Sequence, residues 1–219
     1  AGGNLSAVVT ATSASIGNVD AGGHLSGSLS AVGDIGEVTV GDNLTGSLLA
    51  GGDVGDLTVT GELSGSVTAV GIGDVTAGEE LSGSVIATGG DIGNLTVQSG
   101  GLSGTVEAAA GAIGIIDITG NLGGSVESAA TITDATVSGD VAGALRSTTG
   151  SIDSLEAGSI SGTVEAAADI GSVTSAGNIS GSIEALGGDI GDIVATAGSL
   201  SGTVRAEQSI RSVLADATT

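Results

Sequence analysis

The chain has 219 residues with 43 Gly and no Phe, Tyr, Trp, Met, Cys or Pro, so any core must be thin and built from Leu, Ile, Val and Ala. Three Lys+Arg against 25 Asp+Glu give a formal net charge of −22. That excludes the phosphate neutralisation on which nucleic-acid binding rests, and it disfavours anionic membrane surfaces. Absence of Cys excludes disulfides and thiolate metal sites. No apolar run reaches the roughly 20 residues of a membrane span: the most apolar stretch, Ala108 to Ile118, is interrupted by Gly111 and Gly114 and carries Asp117.

Two half-motifs alternate along the chain. The first, as in Asn43-Leu44-Thr45-Gly46-Ser47-Leu48-Leu49-Ala50, opens at Leu5, Leu25, Leu44, Leu63, Leu81, Leu102, Leu122, Val141, Ile160, Ile179 and Leu200. The second, as in Asp34-Ile35-Gly36-Glu37-Val38-Thr39-Val40, opens at Ile16, Ile35, Val54, Ile72, Ile92, Ile113, Ile132, Ile152, Ile170, Ile190 and Ile210. Successive openings of one half-motif lie 18 to 21 residues apart, and the length variation falls in Gly-rich connectors. A disordered Gly/Ser linker shares this composition but has no reason to hold an apolar residue in register through every repeat. A stack of coils does, because each coil buries its apolar stripe only against its neighbours.

The predicted fold is all-β: a parallel β-helix (β-solenoid) of about eleven coils of roughly 19 residues, each made of two unlike half-motifs. Residues 1–219 form a single repeat domain without evident terminal caps. The residues do not fix the hand of the coil; the general preference of parallel crossovers makes right-handed winding the expectation. Coils about 4.8 Å apart predict a rod about 50 Å long.

In the first half-motif Leu25, Gly27, Leu29 and Ala31 alternate with Ser26, Ser28 and Ser30, the period of a strand. The glycine that recurs at Gly27, Gly46, Gly65 and onwards, with Ala7 as the one departure, is expected to point inward and let the opposing wall approach. In the second half-motif the inward residues are Ile35, Val38 and Val40, an offset that predicts a corner or bulge near Gly36.

Catalysis is not expected. The chain has one His (His24), three Arg (Arg146, Arg205, Arg211) and no Lys, and His24 reads as a turn residue standing where other coils have Asn43 or Asn121. Calcium is the one cofactor the pattern suggests. Stacking coils would bring Asp34 and Asp53 into one file, and Glu37, Asp56 and Asp74 into another close by. A second acidic group is Asp42, Glu62, Glu79 and Glu80. Carboxylates in such numbers are hard-cation ligands. The files lapse, however, at Gly71, Ala112, Thr131 and Ser151.

Two further outward files stand out. One runs Glu107, Glu127, Arg146, Glu165, Glu184, Arg205 and predicts a cross-coil charge ladder. The other is a paired hydroxyl array, among it Ser26/Ser28, Thr45/Ser47 and Ser64/Ser66.

Three resemblances follow. Runs such as Gly90-Asp91-Ile92-Gly93-Asn94-Leu95-Thr96-Val97 and Asn178-Ile179-Ser180-Gly181-Ser182-Ile183 resemble the Gly/Asp/Asn-rich repeat regions of large bacterial secreted or surface proteins, adhesin-like and planctomycete-type. This resemblance implies an extracellular or cell-surface structural role and transfers no functional residue. The segment Gly51 to Val59 resembles the calcium-binding nonapeptide of RTX proteins, with Val54 where that motif has Gly. The hydroxyl files resemble the faces of ice-binding solenoids, although Ser predominates here over Thr.

The chain opens and closes inside the repeat, with no Met or signal-like segment before Leu5. It therefore reads as an excised piece of a longer chain or as a subunit that self-associates end to end. The expected function is a structural extracellular module of a fibre, stalk, filament or surface layer. A calcium-dependent RTX-like module and an ice-binding solenoid are the alternatives. No nucleic-acid partner and no membrane insertion are expected.

Overall fold

The computed structural model describes residues 2–216; Ala1 and residues 217–219, which the sequence reading includes in the repeat domain, lie outside the described residues. Two parallel sheets of eleven strands run the length of the molecule, one from each half-motif, with successive strands of one sheet contributed by successive coils. Among the described residues there is no helix, so none is long and apolar enough to cross a membrane. The chain is a β-solenoid of eleven coils, numbered below by their first-motif openings from Leu5 to Leu200.

The leading residues sit one above another: Leu25, Leu44, Leu63 and Leu81 bridge in series on one side, and Ile35, Val54, Ile72 and Ile92 on the other. Each of these is buried, as are the third apolar positions Leu29, Leu48, Val67 and Val85. The core is one continuous column of Leu, Ile, Val and Ala running along the axis. Small side chains suffice because the two walls are close, and β-branched residues suit the pleated surface.

The first half-motif differs from a straight alternating strand. Its strands are four residues long, as in Ser28–Ala31 and Ser47–Ala50. The leading Leu stands apart from them across a two-residue bend, where Thr45 and Gly46 both donate their N–H to the Leu25 carbonyl at 3.0 Å. This bend explains the glycine file, and corrects its predicted purpose. A Cβ on Gly46 would lie 1.9 Å from the carbonyl oxygen of Gly27, one coil earlier, and a Cβ on Gly104 would lie 1.9 Å from that of Gly83. The missing side chain therefore makes room along the stack, between coils, and not across the core. The departure at Ala7 falls in the first coil, where no earlier carbonyl lies against it among the described residues.

The second half-motif turns at the predicted place: Ile35, Val38 and Val40 are buried and Glu37 is exposed. Its strands have three residues as far as Ile116–Ile118. From Ala135–Val141 onwards they run through the corner, reaching nine residues in Ile152–Ile160.

Three buried hydroxyls interrupt the apolar column. Ser128 and Ser147 replace the Ala of neighbouring coils, and each donates to the Ala130 carbonyl, at 3.0 and 2.8 Å. Ser175 donates to the Gly177 carbonyl at 3.2 Å. Satisfied in this way, a buried hydroxyl avoids the desolvation cost of an unpaired one.

Candidate functional site: the corner files and the serine trough

A coil has up to three corners at which the backbone leaves the sheet ladder, and an amide there must find another acceptor. The sequence supplies one. At the corner before the second half-motif, Ser15, Asp34, Asp53, Asp91, Thr131, Ser151, Asp169 and Asp189 each accept the backbone N–H of the equivalent residue one coil on, at 2.7–3.3 Å. At the corner inside that half-motif, Asn18, Asp56, Asp74 and Asn94 accept from Glu37, Asp74, Asn94 and Ile115 at 2.7–3.2 Å. At the corner before the first half-motif, Asn4, Asn43, Asn121 and Asn178 do the same at 2.9–3.0 Å. All these rungs point one way, with the side chain of one coil accepting from the backbone of the next. Asp, Asn, Ser and Thr share a short side chain with an oxygen within reach of nearby backbone amides, as in turns.

This geometry locates each calcium candidate. Asp34 and Asp53 belong to one corner file; Glu37, Asp56 and Asp74 belong to the next. Asp34, Asp53, Asp56 and Asp74 each commit Oδ1 to a backbone amide of the following coil. Glu37 makes no such rung, and its own N–H donates to Asn18 Oδ1 at 3.2 Å. Among the described residues, no three of His, Asp and Glu gather in a group that could hold a metal ion. Of the second acidic group, Glu62 accepts from Ser82 Oγ at 2.6 Å and Glu80 from Ser103 Oγ, each donor lying on the following coil.

His24 stands in an Asn file, as its sequence position suggests. Its Nδ1 accepts the Asn43 N–H at 3.3 Å, doing the work of an amide oxygen, while Nε2 lies 3.1 Å from Asp42 Oδ2. Both ring nitrogens are thus engaged in the corner, and those contacts assign the proton to Nε2.

Each arginine pairs with a carboxylate one coil away. The predicted file is in register, Glu127 opposite Arg146, Arg146 opposite Glu165 and Glu184 opposite Arg205. Its ion pairs are long, 3.9 Å for Arg146–Glu165 and 3.8 Å for Arg205–Glu184. The tighter pair was not singled out from sequence. Arg211 meets Asp192 through both Nε, at 2.9 Å, and a terminal nitrogen, while Ser212 Oγ donates to the same carboxylate at 2.7 Å. The Arg211 hydrogen bond, and after it that of Ser212, holds the Asp192 carboxyl below its usual range, and the same contact raises Arg211.

The hydroxyl array forms an open trough of about 790 Å³ over the first six coils. Its floor is the glycine file, Gly27, Gly46, Gly65, Gly83 and Gly104, and its walls include Ser26, Ser28, Ser64 and Ser66. The trough exists because the bend at each glycine folds the surface inward there. Some hydroxyls bond along the stack, as Ser47 Oγ to Ser28 Oγ at 3.0 Å.

The fold and its corner ladders define the chain as a β-solenoid repeat protein. No family model, no curated protein and no solved structure matches it.

Proposed function

We propose that the chain is a structural module of an extracellular or cell-surface fibre, stalk, filament or surface layer. The observation that carries this reading is where the polar side chains are spent. The repeated Asp, Asn, Ser and Thr of the corners bond to the backbone of the next coil. A repeat that devotes its polar residues to joining coils serves extension of the stack. The axial column of small apolar residues serves it too, since each added coil buries the face of the one before. The net charge of −22 keeps such rods soluble and apart.

In this role the chain extends a rod either as a stretch of a longer solenoid or by stacking on further copies. Negative-stain electron microscopy with light scattering over a range of concentrations separates the two. Rods that lengthen with concentration support end-to-end stacking, and a discrete monomer at every concentration overturns it. Antibody labelling of intact source cells tests the location: label that appears only after the cells are permeabilised overturns the extracellular placement.

A further inference from the structure

The corner ladder is not uniform, and its gaps coincide. The corner residues of coil 6 are Gly101, Ala112 and Ile115, none of which carries a side-chain acceptor. Coil 6 therefore offers no corner rung to coil 7. Coil 3, by contrast, offers three to coil 4, through Asn43, Asp53 and Asp56. Two independent features fall at the same place. The glycines with positive φ among the described residues are Gly100, Gly101 and Gly120, which bracket coil 6. Ile115, where the neighbouring coils have Asn94 and Asp134, is 54% exposed. Besides the sheet ladder, the Gly120 N–H of coil 6 donates to Ser138 Oγ of coil 7 at 2.9 Å, opposite in sense to the rungs, and the buried Ser128 hydroxyl reaches from coil 7 to the Gly111 carbonyl and the Ile113 N–H of coil 6, both at the long distance of 3.3 Å.

We infer that the junction of coils 6 and 7 is a built-in yield point, dividing the rod into two cooperative blocks, coils 1–6 and coils 7–11. The stability of a solenoid is close to a sum of per-repeat and nearest-neighbour interface terms, so the interface that lacks all three rungs from the coil before it is where the stack parts first. The second-sheet strands change length at the same junction, from three residues in Ile116–Ile118 to seven in Ala135–Val141. Under heat, denaturant or axial load the blocks separate before either unravels. The inference rests on the fold and stands whether or not the module is extracellular.

The test is native-state hydrogen exchange of the full chain, read by mass spectrometry at increasing urea. Amides of Ile116–Ile118 and Ser125–Ser128 are expected to exchange through a cheaper opening than those of Ser47–Ala50 and Thr163–Ala166. Equal protection across these strands overturns the inference. The double variant Ala112→Ser with Ile115→Asn places two acceptors on coil 6 and is expected to slow exchange at the junction about 5- to 100-fold. An unchanged rate in a variant with native circular dichroism also overturns it. Should that variant not fold, Asp53→Ala with Asp56→Ala removes two of the three rungs between coils 3 and 4. It is expected to open a second fast-exchanging junction there, and its absence overturns the inference.

Discussion

Adjacent glycines in coil 7 provide a sharp test of the stacking geometry. A Cβ on Gly124 would lie 1.9 Å from the Gly104 carbonyl oxygen, whereas a Cβ on Gly123 would meet nothing nearer than the Leu102 oxygen at 3.8 Å. Gly124→Ala must therefore push two coils apart by more than 1 Å to reach an ordinary contact. That shift strains the bonds made nearby, from Gly124 N–H to the Leu102 carbonyl and from Ser125 N–H to the Gly104 carbonyl, both 3.0 Å. Overpacking costs about 1–3 kcal/mol and each weakened hydrogen bond about 0.5–1.5 kcal/mol, so a total near 3 kcal/mol is expected. In a chain of this size that lowers the thermal midpoint by about 6–12 °C. Gly123→Ala restricts the unfolded chain without a clash, and is expected to be neutral or stabilising by about 0.5 kcal/mol. The assay is thermal and urea unfolding followed by far-ultraviolet circular dichroism, since the chain has no tryptophan. Equal midpoints for the two variants would refute the claim that the glycine file exists to clear the carbonyl of the previous coil.

Three further outcomes follow from the corner chemistry. Asp53→Ala removes the acceptor of the Gly71 N–H, at 2.8 Å, and is expected to cost about 1 kcal/mol, while Asp53→Asn keeps the rung and should melt at least as high as the wild type; the order of the three midpoints checks this. Excess EDTA, and then added calcium, should leave the melting midpoint unchanged, because four of the five candidate carboxylates already hold backbone amides; a rise with calcium would revive the calcium-dependent alternative. The Asp192 carboxyl titrates below its ordinary 3.8, so the stabilisation from its pair with Arg211 is present above that value and is lost as pH falls through the folded one. Arg211→Ala should move the Asp192 titration up towards 3.8 in carboxyl-carbon NMR, and an unmoved midpoint would count against the pair.

The coil count, both sets of leading residues, the inward apolar positions and the corner at Gly36 were all legible in the sequence. Apolar periodicity reports burial directly, and it does so once per coil. The register of the charge file was legible for the same reason: a constant repeat fixes which residues face each other. What the sequence hid was direction at the bends. Period two placed Gly27 on the inner face, but two amides share one carbonyl there, and the Cα substituent turns to lie along the axis. The corner files were hidden by their chemistry. Sorted by charge they lapse at Gly71, Ala112, Thr131 and Ser151, whereas sorted by hydrogen-bond acceptor Thr131 and Ser151 make their rungs and only Gly71 and Ala112 remain as gaps. The usable signal was the class Asp/Asn/Ser/Thr one residue before the leading residue of the second half-motif in all but those two coils. The Arg211–Asp192 pair lay beyond periodicity because it occurs once.

One property of the corners is left over once the rungs are accounted for. Asn would make the same bond as Asp without placing like charges on successive coils. Two carboxylates about 4.8 Å apart repel by roughly 1 kcal/mol in water, about the worth of one rung. Asp34 followed by Asp53 therefore contributes little net stability over an Asn pair, and the backbone bond does not explain the choice of acid. The effect of the charge lies outside the single rod. The three arginines and His24 are each within 4.0 Å of a carboxylate, so the excess negative charge faces solvent along the corners. Parallel sheets expose long, repetitive faces, and repetitive faces on two rods match each other at every coil. Fields of one sign extending about 8 Å at physiological salt oppose that sideways association and leave axial contact between coils as the favoured one. On this argument raised salt should promote bundling of rods before it affects their melting, which separates charge that acts between molecules from charge that holds one together.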